Sequence, residues 1–314
     1  MSDLAARFSA REVRALARTI SLVERDDPLA GVMLAELRAA AGPQPRRVGL
    51  TGSPGAGKST LVDAMIGSVR RRKQSVAVLA VDPSSPFSGG ALLGDRLRMD
   101  GHLLDPGVYV RSMGARGQLG GLSPSAAEVA WLLGAFGFDE IMVETVGTGQ
   151  SELEVSTLVD TTVVVLTPAA GDSVQLEKAG ITEIADIYVV NKADMPGADQ
   201  LIRDVRAMVR LGTRTSWRPP ILATVANRPS AAIDELWAAI GTHRAYLDEH
   251  PDGRAADARR VRESAAALVA ARARAWALQQ CSQGSLGSEL DEHRLSPHTI
   301  ADRLLALAAE GWSG

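Results

Sequence analysis

The sequence predicts a doubly wound α/β fold: a mostly parallel sheet covered by helices, with a helical extension before it and a helical arm after it. Three observations predict this. Of seven short strand-like runs, most are continuously apolar rather than alternating, the pattern of strands buried on both faces. Helical segments separate them, as strand–helix repetition requires. A glycine-rich stretch, "GLTGSPGAGKST" at 49–60, follows the first run and opens a helix. Open α/β sheets hold ligands just there, beyond the carboxyl ends of the strands.

Residues 1–43 read as helices. Leu16, Ile20 and Val23 share one face, and a second helix starts near Asp27-Pro28 and carries Met33, Leu34 and Leu37. These are the spacings of an apolar helix stripe, and Asp before Pro is a start signal. Residues 44–242 form the sheet domain, with strands expected at 46–51, 75–82, 107–112, 139–145, 161–167, 187–192 and 220–225. Residues 243–314 turn helical again. Val261, Ala265, Leu268, Ala271, Ala275 and Leu278 recur at heptad-like spacing, which predicts a packing seam against the core or a second subunit. A flexible break at 282–288 and a short helix at 297–309 complete the arm.

Composition narrows the function. The 314 residues carry 34 basic and 37 acidic side chains, formally −3, a balance that does not point to nucleic acid or to an anionic membrane. Aromatics at 4% leave little to stack bases on. No stretch reaches the roughly 18–20 apolar residues of a membrane span, and the first residues carry no signal-peptide pattern. The single cysteine, Cys281, forms no internal disulfide, so a cytoplasmic setting is expected. Five dispersed histidines argue against a transition-metal site.

The chemistry concentrates at strand ends. Gly52, Ser53, Pro54, Gly55, Ala56, Gly57, Lys58 and Ser59, followed by Thr60, fit G-x-x-x-x-G-K-[ST]. The glycines let backbone N–H groups approach phosphate oxygens, and the helix opening near Lys58 aims its positive end at the same anion. Lys58 would reach the β- and γ-phosphates and Ser59 would ligate Mg²⁺. Asn191-Lys192-Ala193-Asp194 ends a later strand. Its acid accepts from guanine N1–H and the exocyclic amine, donors that adenine does not offer in that arrangement, so GTP or GDP is the expected nucleotide. A third guanine loop is expected at Thr224, Val225 and Ala226, without the usual Ser-Ala pair.

Two segments read as switches. "VETVGTGQSE" (143–152) carries Glu144-x-x-Gly147 where most regulatory GTPases have Asp-x-x-Gly. Glu144 can hold Mg²⁺ through water, the Gly147 N–H can sense the γ-phosphate, and Gln150 can orient the attacking water or be a plain loop residue. "VDPSSPFSGGALLGDRLRM" (81–99) supplies Asp82 at a strand end, placed near Mg²⁺, and Asp95 in a reshapable loop, read as a switch acid that organises Mg²⁺ or the attacking water, or else as a capped helix start. "SMGARGQLGGLS" (112–123) reads as a mobile loop.

Together "GSPGAGKST", "VDPSSPFSGGALLGDRLRM", "GFDEIMVETVGTGQSE" and "NKAD" resemble the methylmalonyl-CoA mutase-associated GTPases of the MeaB/ArgK type, in the SIMIBI class of P-loop GTPases. The resemblance implies a homodimeric GTPase that serves an adenosylcobalamin-dependent acyl-CoA mutase and gates cofactor delivery by its adenosyltransferase. It implies protection of the mutase and ejection of damaged cobalamin. It places Lys58, Ser59, Asp82, Asp95 and Glu144 at the nucleotide and Mg²⁺, and Asn191, Lys192 and Asp194 at guanine. It makes "GDSVQLEKAG" (171–180) a third switch facing the mutase, with Lys178 as its residue to test. Rival readings are a nucleotide-dependent kinase of a transport-system protein or small molecule, a nickel-insertion GTPase, and a non-catalytic scaffold.

Overall fold

The computed structural model describes residues 2–82, 100–102, 104–114, 125–145, 151–168, 184–211, 216–228, 231–282 and 296–311. The chain divides into two compact units, residues 1–260 and 261–314.

The first unit is built on a parallel sheet of seven strands among the described residues. They are β1 (Arg47–Thr51), β2 (Val76–Asp82), β3 (Val108–Gly114), β4 (Glu140–Thr145), β5 (Thr161–Leu166), β6 (Ile187–Asn191) and β7 (Ile221–Thr224), in the order β3-β2-β4-β1-β5-β6-β7. The expected doubly wound α/β class is the observed one. β4, β5 and β6 are buried at every position, which is why their sequences run apolar without alternation. The chain builds outward from β1 through β2 and β3, returns to place β4 beside β1, then lays β5 on β1's other side. In open α/β sheets such a reversal marks where ligands bind, beyond the carboxyl ends of the strands.

Helices cover both faces. On one, α1 (Asp3–Ser9), α2 (Val13–Glu24), α3 (Pro28–Ala40), α5 (Ser125–Phe136) and α6 (Ser151–Leu158) pack with Ala77, Leu79, Val81, Ile141 and Val143. The same core holds Leu16, Ile20, Val23, Met33 and Leu37, so the first three helices share the sheet's interior. The Asp27 carboxylate caps α3 by accepting from Leu29 N at 2.9 Å, and Pro28 occupies the first turn where its missing N–H is harmless. On the other face, α4 (Lys58–Arg71) and α8 (Ala231–Glu249) pack with Val48, Leu50, Val76, Val78, Met142, Val163 and Val165. α7 (Ala198–Leu211) closes a third cluster over Val164, Leu166, Tyr188 and Val190. Successive residues of β2 and β5 thus feed opposite layers, as strand geometry requires.

A long helix, α9 (Pro251–Cys281), begins in the first unit and continues into the second, which also holds α10 (Pro297–Gly311). Val261, Val269, Leu278 and Leu305 on these helices are more than half exposed. No helix among the described residues is long and apolar enough to cross a membrane.

Candidate functional site

The loop from Gly52 to Gly57 wraps the carboxyl end of β1, and its glycines are there for a reason of space. Gly52 has φ 139° and Gly57, which caps α4, has φ 89°. A Cβ at Gly52 would sit against the Val165 carbonyl of β5, and one at Gly57 against the Asn191 side-chain amide. Only glycine permits both the left-handed backbone and these approaches. Pro54 and Gly55 are exposed at the tip, while Ser53 and Ala56 are buried.

Lys58 is buried, and its Nζ donates to the Gly52 carbonyl at 2.6 Å and to the Ser53 carbonyl at 3.0 Å. A cation is therefore held inside the loop whose N–H groups and helix end already favour an anion. Thr60, the third residue of α4, is exposed. Ser59 Oγ donates to Glu144 Oε1 at 2.6 Å, and Glu144 is itself buried. The strand register makes this meeting possible: Glu144 lies beside Leu50 in the β1–β4 pair, just beneath the loop. A hydroxyl and a carboxylate at a phosphate loop are hard oxygen donors of the kind Mg²⁺ takes, with substrate phosphates and water completing its shell. The pair therefore fits the cation. Next along β4, Thr145 Oγ1 donates to Thr51 Oγ1 at 3.2 Å, tying the ends of β4 and β1 together.

Asn191 joins three loops. It is buried; its Nδ2 donates to the Ala56 carbonyl at 2.9 Å, and its Oδ1 accepts from Ala226 N at 3.1 Å and Thr224 Oγ1 at 3.2 Å. One side chain so fixes the phosphate loop, the end of β6 and the loop after β7. Lys192 adopts φ 56° and donates from Nζ to the Gly55 carbonyl at 2.8 Å, laying its stem along the site. Val225 follows β7, and the Ala193 N–H bonds back to the Thr224 carbonyl at 3.0 Å. Asp194 is partly exposed, with its Oδ2 3.4 Å from Arg228 Nη2.

The structure thus brings together the residues 52–59, Glu144, Asn191, Lys192, Asp194, Thr224 and Ala226 at one end of the sheet. Asp82 closes β2. Its side chain, and Asp95, Gly147, Gln150 and Lys178, lie outside the described residues. The strand-end reading picks out Thr51, but the motifs do not single out Thr145 or Arg228. A threonine at a strand end carries no distinctive spacing, and Arg228 follows the weakest of the three guanine segments. Among the described residues there is no cluster of three or more His, Cys, Asp or Glu placed to hold a metal.

A parallel doubly wound sheet with a glycine cradle and buried lysine after β1 and N-K-x-D at the same end of β6 defines a P-loop GTPase. The chain belongs to the family described as methylmalonyl-CoA mutase-associated GTPase MeaB, whose profile matches residues 16–282. A Pyrococcus horikoshii protein carrying a GTPase name is 46% identical over 266 residues, 83% of each chain. The GTPase ArgK of Escherichia coli is 38% identical over 234 residues, 72% of this chain and 70% of its own. The mitochondrial methylmalonic aciduria type A homologue of Mus musculus is 40% identical over 240 residues, 71% of this chain and 58% of its own. A crystal structure of an LAO/AO transport system kinase superposes with a TM-score of 0.65 at 24% identity, covering 98% of this chain and 97% of the other. That likeness speaks to the fold alone. The protein is a GTPase of the MeaB/ArgK type.

Proposed function

We propose that this GTPase is a nucleotide-dependent chaperone of an adenosylcobalamin-dependent acyl-CoA mutase of the methylmalonyl-CoA mutase kind, acting as a dimer in the cytoplasm. The observation that carries the nucleotide half is Asn191: one buried amide holds the phosphate loop and the base-reading segment in a single rigid unit. Phosphate binding and guanine reading then belong to one site. Family membership and the mouse relative's name support the mutase as partner.

In this reading the loop N–H groups and Lys58 neutralise the β- and γ-phosphates, and Asp194 accepts from guanine. Lys192 covers the base, and Thr224, Val225 and Ala226 close its far side. Ser59 and Glu144 would hold Mg²⁺, with Asp82 and Asp95 as the further acids of its site. The ion would supply positive charge against the phosphates during hydrolysis. Gly147 senses the γ-phosphate, and Gln150 orients the attacking water. Lys178 faces the mutase. Slow hydrolysis makes a timer: loss of the γ-phosphate relaxes 82–99 and 144–152, and the partner's access to cofactor from the adenosyltransferase changes with it.

The test is GTP turnover by the purified protein with Mg²⁺, alone and with candidate mutases. The double substitution Lys58→Ala/Ser59→Ala removes the buried cation and the hydroxyl donor. Turnover should fall at least ~10³-fold, with the circular-dichroism spectrum unchanged. Residual turnover near the wild-type rate would mean that the site is wrong. Mutase addition should raise the wild-type rate, and the released phosphate should pass to water, not to an acceptor as a kinase would require.

A further inference from the structure

The base-reading acid has a partner that no motif announced. To read guanine, Asp194 must present one oxygen to N1–H and the other to the exocyclic amine, which fixes the plane of its carboxylate. The terminal torsion of aspartate is broad, and the Asp194 side chain is 41% exposed, so solvent meets much of its surface. Something must hold it.

The loop after β7 is where such a holder is expected, as a serine hydroxyl beside an alanine. This chain has Val225-Ala226, and valine has no donor. The Ala226 N–H is already committed to Asn191 Oδ1. The loop then turns: Arg228 N bonds the Val225 carbonyl at 3.0 Å. That turn brings the Arg228 guanidinium back toward the reader, with Nη2 3.4 Å from Asp194 Oδ2.

We infer that Arg228 positions Asp194 for guanine, its guanidinium taking the place of the missing hydroxyl. Each carboxylate oxygen accepts more than one hydrogen bond, so Oδ2 can serve the base and the guanidinium together. Arg228 is then a specificity-determining residue that acts through Asp194, without touching the reacting phosphate. The inference rests on the guanine reading of the site given above.

The experiment is calorimetry on the full chain with Mg²⁺, comparing GDP with IDP, which lacks the exocyclic amine. Asp194→Ala is run first and should erase the preference for GDP over IDP. Arg228→Ala should weaken GDP about three- to fivefold, the range of an exposed ion pair, and IDP by less, so the GDP-to-IDP ratio narrows. Arg228→Lys should restore part of the loss. The gap should close near 1 M salt, where the Debye length is about 3 Å, and Arg228→Ala should add nothing in the Asp194→Ala background. Arg228 is 67% exposed, so its replacement leaves the core untouched, and an unchanged melting temperature checks that. An Arg228→Ala protein that binds GDP as tightly as wild type, with the same ratio, overturns the positioning role while the guanine reading stands. An Asp194→Ala protein that keeps the ratio overturns the guanine reading itself, and the role of Arg228 with it.

Discussion

At the scale of single residues, a buried histidine lies at the opposite end of the sheet from the nucleotide loop. His243 of α8 is 2% exposed. Its Nδ1 lies 2.9 Å from Thr161 Oγ1 and its Nε2 3.3 Å from Asp186 Oδ1. A carboxylate only accepts, so the proton of the neutral ring sits on Nε2 and Thr161 donates to Nδ1. Trp217 packs on the ring at 4.6 Å, and its indole N–H donates to the Asp186 carbonyl. Burial lowers the histidine from its ordinary 6.5 to about 4, opposed by the negative charge of Asp160 and aided by Arg46. The folded chain thus refuses a proton that the unfolded chain accepts. The stability this contributes is complete above pH 6.5 and is lost as pH falls from there toward 4. A difference of that size is worth about 3 kcal/mol at most. Urea midpoints should decline over that window, and His243→Gln should flatten the decline. A wild-type midpoint constant from pH 7 to pH 4.5 would refute the neutral, buried imidazole.

At the scale of elements, the strands were legible to within a residue or two, the inner ones β4, β5 and β6 because burial on both faces keeps their middles apolar. β6 shows what the pattern misses. The apolar run suggests a strand through Lys192, yet the strand stops at Asn191 because Lys192 turns to φ 56°. That left-handed turn swings the lysine onto the Gly55 carbonyl. Legibility also fails for the partners of the first three helices. Their apolar stripes were readable, but not that they share one core with β2 and β4. Phe8 illustrates the coupling: it is 2% exposed and meets Phe136 of α5 edge to face, with ring centroids 5.3 Å apart. Phe8→Ala should therefore destabilise the whole first unit by about 3–5 kcal/mol. The measurement is a single cooperative melt, shifted down. A small early transition with the main melt unmoved would show that these helices fold independently.

At the scale of the whole molecule, the exposed apolar residues of the second unit call for explanation. Val261, Val269 and Leu278 of α9 are 69%, 58% and 55% exposed. In the proposed dimer the heptad-spaced seam that carries Val261 and Leu278 is covered by a second copy. A double Val261→Glu/Leu278→Glu protein should then run as a monomer in analytical ultracentrifugation, with GTP binding retained, where the wild type runs as a dimer. A wild type that sediments as a monomer at tens of micromolar would remove the proposal. The sequence by itself determined the sheet class, the phosphate loop and the N-K-x-D segment. Each of these is local: continuous burial, left-handed glycines and a short spacing all show along the chain. Only the tertiary structure decided that Asn191 locks the phosphate loop to the loop after β7. It alone placed Glu144 under Ser59 and set Arg228 against Asp194. Those contacts join residues from 34 to 135 positions apart. Strand order and register make such meetings, and nothing along the chain spells out which strands will be neighbours.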